Sequence, residues 1–189
     1  MTPEPTRRLF FALWPDKRMQ SALAEATRAI TDAADGRAIP AENFHLTLAF
    51  LGSVPESKIA ALSPIAERVA GAFRELPESG EPIAITLDKA EHWRKPELLC
   101  VTATEPAPAA AAFAQVLKEA LVAGGFAPDL KPFRVHATFA RKVRRVSRSL
   151  TMPPVAWSFT EFRLIESRTD PRGSSYSTVE KWALYKRDR

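Results

Sequence analysis

The hydrophobic pattern changes period several times along the chain. Leu9-Phe10-Phe11-Ala12-Leu13-Trp14 is an unbroken apolar run stopped by Pro15, which predicts a buried strand over Arg8 to Trp14. Met19, Leu23, Ala26 and Ile30 then recur at helical spacing and predict a helix from about Asp16 to Ala33. Gly36 and Pro40 interrupt that pattern, and His45 to Leu51 alternates as a strand ending at Gly52. Ile59, Leu62, Ile65, Val69 and Phe73 mark a second helix over Glu56 to Phe73. Pro64 removes a backbone donor inside it, so the helix should kink or divide there, with Ser63 as a new N-cap.

Ile83, Ile85 and Leu87 predict a third strand, and Leu98 to Ala103 a fourth. The Arg94-Lys95-Pro96 turn between them suggests that the two pair as a hairpin. An Ala-rich helix from about Ala107 to Ala123 stops at Gly124-Gly125, and a short strand follows Pro132, from Arg134 to Ala140. Ala156 to Ser167 and Ser175 to Tyr185 read as closing strands separated by the turn Asp170-Pro171-Arg172-Gly173. One order of elements occurs twice: strand, helix, glycine break, proline, then a strand opening on histidine. The copies run from Leu9 to His45 and from Leu99 to His136, separations of 36 and 37 residues. Such a repeat predicts two lobes related by a pseudo-twofold axis, although strand and helix recur at this spacing in many α+β proteins.

Composition narrows the class. With 189 residues, 46% hydrophobic and 26% charged, the chain has the balance of one soluble globular domain. Its 7 Gly and 16 Pro, without long tracts, exclude collagen-like and low-complexity chains. Cys100 is the only cysteine, which excludes an internal disulfide and a zinc knuckle and points to a reducing cytoplasm. The six-residue apolar run near the start is too short for a membrane span, and no targeting signal is visible. A net charge of +5 suits an anionic partner without demanding one.

The two repeated strands open on His45-Leu46-Thr47-Leu48 and His136-Ala137-Thr138-Phe139. Residues two apart in a strand share a face, so each strand offers an imidazole beside a hydroxyl. If the lobes face each other, two imidazoles and two hydroxyls converge on a volume suited to a phosphate. Cleaving a phosphodiester needs one group to take a proton from the nucleophile and another to give one to the leaving oxygen. Histidine titrates near neutrality and can fill both roles, while threonine hydroxyls can donate to the nonbridging oxygens. A purely structural role for both histidines is the competing reading.

Asn43-Phe44-His45-Leu46-Thr47-Leu48-Ala49-Phe50-Leu51-Gly52 and Pro132-Phe133-Arg134-Val135-His136-Ala137-Thr138-Phe139-Ala140-Arg141 resemble the paired signatures of the two-histidine phosphoesterases. More narrowly, they resemble the RNA 2',3'-cyclic phosphodiesterases, also called 2'-5' RNA ligases. Arg8 to Pro15, and Leu164 to Ser167 followed by Gly173 and Tyr176, also fit, so the resemblance runs over residues 7 to 185. It implies one two-lobed α+β domain over residues 1–189, each lobe a mainly antiparallel sheet with outer helices facing a central cleft. It further implies opening of a terminal 2',3'-cyclic phosphate to a 2'-phosphate without cofactor, metal or ATP, with reversible 2'-5' ligation. His45 would act as general acid, His136 as general base, and Thr47, Thr138 and Arg141 would bind the phosphate. The implied partner is RNA with 2',3'-cyclic phosphate ends, tRNA fragments among them, met by a cytoplasmic monomer away from membranes.

Strict alternation puts Arg141 on the face opposite His136, so it reaches the phosphate only if the strand ends or bulges there. Arg141, Lys142, Arg144, Arg145 and Arg148 form a basic run that is either a solvated loop or a contact to the RNA backbone. Phe11, Phe44, Trp93 and Tyr176 are candidates for stacking on a terminal base, and His92, without a Thr partner, reads as a hairpin residue. Three alternatives stay open. They are a metallohydrolase, disfavoured by the lack of HExxH or HxH, a noncatalytic RNA-binding module, and an enzyme for a small cyclic phosphate or nucleotide.

Overall fold

A computed structural model describes residues 4–76, 81–146, 149–170 and 173–185. In chain order its elements are β1 (Thr6–Leu13), α1 (Lys17–Asp32), β2 (Arg37–Ala38), β3 (Leu46–Pro55), α2 (Glu56–Ile59), α3 (Leu62–Arg74), β4 (Ile83–Leu87) and β5 (Lys89–Trp93). There follow β6 (Leu98–Thr102), α4 (Pro108–Ala123), β7 (Ala137–Arg141), β8 (Val155–Phe159), β9 (Glu161–Asp170) and β10 (Gly173–Ala183). One sheet has the order β10-β9-β1-β3, a second β2-β7-β6-β5, and β4 pairs with β8 in a ribbon. The pairings are antiparallel. This is a two-lobed α+β fold. The β1-α1-β3 and β6-α4-β7 units are its two related halves, as the sequence repeat implies. Pro171 and Arg172 of the expected turn, and Arg148 of the basic run, lie outside the described residues.

The helices cross between lobes. α1 follows β1 of the first sheet yet packs on β7 and β8, whereas α4 follows β6 of the second and packs on β3 and α3. Leu23 and Ile30 carry the buried stripe of α1, and burying each contributes about 1.5–3 kcal/mol. Gln20 and Thr27 are buried with them, while Met19 and Ala26 sit at the margin of the core. The stripe is therefore turned slightly from the one apolarity alone selects. Thr27 is tolerated because its hydroxyl donates to the Leu23 carbonyl at 2.8 Å. Asp16 caps the helix by accepting from the Met19 N–H at 2.8 Å.

Three sequence expectations change. The helix over residues 56–73 does divide, but Ala61 and not Ser63 precedes α3, and the Ser63 hydroxyl donates to Glu180 at 2.8 Å. Pro64 then falls in the first turn of α3, where its missing N–H costs no hydrogen bond. The hairpin also has a different first strand: β5 pairs with β6, and β4 pairs with β8. A break at Asp88, whose carboxylate accepts from the Thr104 N–H at 2.8 Å, separates β4 from β5. The expected strand over residues 156–167 breaks at Thr160, so β8 serves the ribbon and β9 the first sheet. No helix among the described residues is long and apolar enough to cross a membrane.

Candidate active site

His45 and His136 each stand one residue ahead of their strands, at the start of β3 and β7. Each is fixed in the same way: Nδ1 lies 2.7 Å from the Asn43 carbonyl in His45 and 2.9 Å from the Arg134 carbonyl in His136. A carbonyl only accepts, so Nδ1 carries the hydrogen and Nε2 is left to exchange protons. The strands also share an irregularity. Thr47 pairs with Ala12 and Ala49 with Phe11, leaving Leu48 unpaired; Thr138 pairs with Cys100 and Ala140 with Leu99, leaving Phe139 unpaired. The extra residue is the fourth of the motif in both copies. Such a bulge resets the alternation, so the residue five past each histidine, Phe50 or Arg141, returns to the cleft side.

That reset resolves the objection to Arg141. It lines a cleft of about 250 Å³ together with Arg8, Phe10, His45, Thr47 and Tyr176. Its Nη2 donates to the Tyr176 hydroxyl at 3.4 Å. Ser167, Thr169 and Ser174 add hydroxyls to the same wall. Thr138 on β7 and His136 just ahead of it belong to the facing lobe, outside that lining, and the charge of His136 still acts on His45.

Aromatic rings enclose His45. Trp14 stacks on it at 5.0 Å with an interplanar angle of 2°, Phe10 lies at 5.0 Å, and Tyr176 meets it edge-on at 5.3 Å. This burial pushes the His45 pKa down to about 4; the Asn43 carbonyl pulls the other way, and Arg141 and His136 add smaller downward pushes. His45 is therefore neutral at pH 7 in the free protein. His136 has a more open setting, with Trp93 at 5.1 Å. Arg134 lies over the Trp93 ring at 4.7 Å, and both bond to Glu91, at 2.6 and 2.7 Å. Thr138 Oγ1 lies 3.5 Å from the buried Cys100 sulfur, whose own pKa burial raises to about 11.

Of the stacking candidates, Tyr176 lines the cleft and Trp93 adjoins His136, but Phe11 and Phe44 are core residues, 0% and 3% exposed, and cannot meet a base. His92 lies in β5, with Nε2 2.8 Å from the Val143 carbonyl, a structural bond consistent with a hairpin residue. In the basic run Arg141 and Lys142 line cavities, whereas Arg144 faces Glu97 at 3.8 Å. Sequence reasoning missed Arg8, Phe10, Trp14 and Phe50. Arg8 sits over the Phe50 ring at 4.7 Å, so a guanidinium from β1 covers the side chain that matches Arg141 in the first lobe. Arg8, Phe10 and Ala12 share one face of β1, with Trp14 just past its end, but the unbroken apolar run gives no sign that this face and not the other meets the cleft. Among the described residues, no group of three or more His, Cys, Asp or Glu could hold a metal ion.

The model of the 2'-5' RNA ligase superfamily matches residues 15–189. The RNA 2',3'-cyclic phosphodiesterase of Escherichia coli is 33% identical over 184 residues, covering 94% of this chain and 97% of that protein. The enzyme of the same name from Thermus thermophilus is 29% identical, covering 94% and 90%. The crystal structure of apo E. coli LigT superposes with a TM-score of 0.75 at 28% identity, covering 97% of this chain and 100% of that one. Sequence, architecture and the doubled His-x-Thr site thus agree, and the chain belongs to the 2'-5' RNA ligase superfamily.

Proposed function

We propose that this protein is an RNA 2',3'-cyclic phosphodiesterase, which hydrolyses a terminal 2',3'-cyclic phosphate to a 2'-phosphate by two-histidine acid-base catalysis. The observation that carries the reading is the matched fixation of His45 and His136, each Nδ1 held by the carbonyl two residues back. In the proposed reaction water attacks phosphorus and the P–O3' bond breaks. His136 Nε2 takes the water proton, and His45 Nε2–H gives a proton to O3'. Thr47 and Thr138 hydroxyls donate to the nonbridging oxygens, and Arg141 offsets their charge. His45 is neutral before substrate arrives, so it takes up a proton from solvent as the phosphate binds; the negative charge of the phosphate counters Arg141 and favours the imidazolium. Attack by a 5'-hydroxyl RNA end in place of water, with the same proton transfers, would break the same P–O3' bond and give a 2'-5' linkage; cleavage of that linkage back to the cyclic phosphate would reverse them.

Both curated relatives bear this activity in their names, which supports the substrate class. The proposal extends to a cytoplasmic monomer that uses neither metal nor ATP and acts on RNA ends such as those of tRNA fragments. The test is a short RNA ending in a 2',3'-cyclic phosphate, incubated with the protein in EDTA without ATP, with the product end identified. A 2'-phosphate is expected. A 3'-phosphate product, or no turnover by the folded protein, overturns the proposal.

A further inference from the structure

The cleft does not end at Arg141. Arg141, Thr169, Ser174 and Tyr176 are shared with a second compartment of about 270 Å³, which extends under β2 and is lined beyond them by Arg37, Asn43 and Lys142. Its cations are placed against their own electrostatic interest. Arg37 is the cross-strand partner of Arg141 in the β2-β7 ladder, and like charges directly opposite on neighbouring strands destabilise a sheet. Lys142 follows at once with φ +57°, a left-handed backbone seldom adopted by a residue with a side chain. None of the three has a carboxylate at ion-pair distance among the described residues.

The fold holds this arrangement in place. Gly36 lets β2 approach closely: a Cβ there would lie 2.6 Å from the Arg141 carbonyl oxygen and 2.3 Å from Val143 Cγ2. Asp35 accepts from the backbone N–H groups of Arg144 and Arg145 at 2.9 and 3.0 Å, tying the basic loop to the segment that carries Arg37. Cations packed together in a recess one wall away from a phosphate site, with no carboxylate at ion-pair distance among the described residues, are suited to a second anion.

We propose that the compartment under β2 binds the phosphate one nucleotide upstream of the reacting end, through Arg37 and Lys142, with Arg141 standing between the two phosphates. This rests on the phosphodiesterase reading and adds the feature that separates an RNA end from a lone cyclic nucleotide. A nucleoside 2',3'-cyclic phosphate lacks the upstream phosphate. The same nucleoside with a 5'-phosphate has it, and so does a dinucleotide.

The experiment compares kcat/KM for these three substrates in the wild type, Arg37→Gln and Lys142→Gln, over a range of salt concentrations. Each substitution should lower kcat/KM for the two substrates with an upstream phosphate by roughly five- to tenfold, mainly through KM, and leave the simple cyclic nucleotide unchanged. The salt dependence of the dinucleotide should weaken by a slope of about 0.7 per cation removed. Equal losses on all three substrates, as misfolding would give, overturn the subsite, and so does no loss on any. Loss confined to the dinucleotide also overturns it, since that would assign the compartment to the second nucleoside. If the wild type turns over none of the three, the subsite falls together with the phosphodiesterase reading.

Discussion

At the scale of single residues, the His45 ring is the most informative group. Its pKa in the folded protein, about 4, lies below the ordinary 6.5, so the unfolded chain takes up a proton that the fold refuses. The sign follows: this contribution is complete above pH 6.5 and is lost as pH falls toward 4. Urea titrations across that window should show stability declining by up to roughly 3 kcal/mol from this source, and His45→Asn should flatten the decline. An unchanged slope in the variant would contradict the burial account. If phosphate binding draws the His45 proton from solvent, calorimetric binding of inorganic phosphate near pH 6 should show proton uptake, read from the dependence of the heat on buffer, and His45→Asn should reduce it. Thr47→Val removes one donor and leaves both imidazoles, so kcat should fall about ten- to a hundredfold, less than for either histidine. Residue identities at the site were legible because a doubled His-x-Thr is rare enough to stand out. Aromatic roles were not, since Leu9 to Trp14 has no polar position to mark which of Phe10 and Phe11 faces the core.

At the scale of elements, β1 also carries the ion pair of Arg7 with Glu166 across to β9, on the helix-covered side. Glu166 is 5% exposed, and Arg7, with help from Arg168, holds its carboxyl below the usual range. Arg7→Met strands that carboxylate with only Arg168, at 3.0 Å, and should cost roughly 1–3 kcal/mol at pH 7. The deficit should shrink as pH falls through the carboxylate range, because the pair stabilises the fold only while Glu166 is ionised. Thermal melts at pH 7 and pH 4 measure both points, and equal losses at the two would contradict the pairing. Strand and helix positions came through in the apolar periods, but pairing partners did not. Ile83 to Leu87 alternates equally well beside β6 or β8, and only the break at Asp88 decides. The bulges at Leu48 and Phe139 were invisible for a related reason: an extra apolar residue in an apolar strand leaves no mark on the pattern. Arg141 exposed the gap, because its motif position and strict alternation disagreed.

At the scale of the molecule, the repeat and the motifs together indicated two lobes, but nothing in the pattern signalled that the helices cross between them. α1 covers β7 and β8, and α4 packs on β3, so neither half of the chain holds its complete core. Calorimetry should therefore give one unfolding transition with equal calorimetric and van't Hoff enthalpies, and two separable transitions would contradict the crossed packing. That shared core fixes the facing of the lobes, on which the proposed two-histidine chemistry depends, since one imidazole would come from each. The most direct measurement is single-turnover hydrolysis of a 2',3'-cyclic phosphate RNA end in EDTA by the wild type, His45→Ala and His136→Ala, each first shown to be folded. Two-histidine catalysis predicts that either substitution alone slows the chemical step about a hundred- to ten-thousandfold while RNA binding persists. Near-wild-type hydrolysis by either folded variant would contradict it.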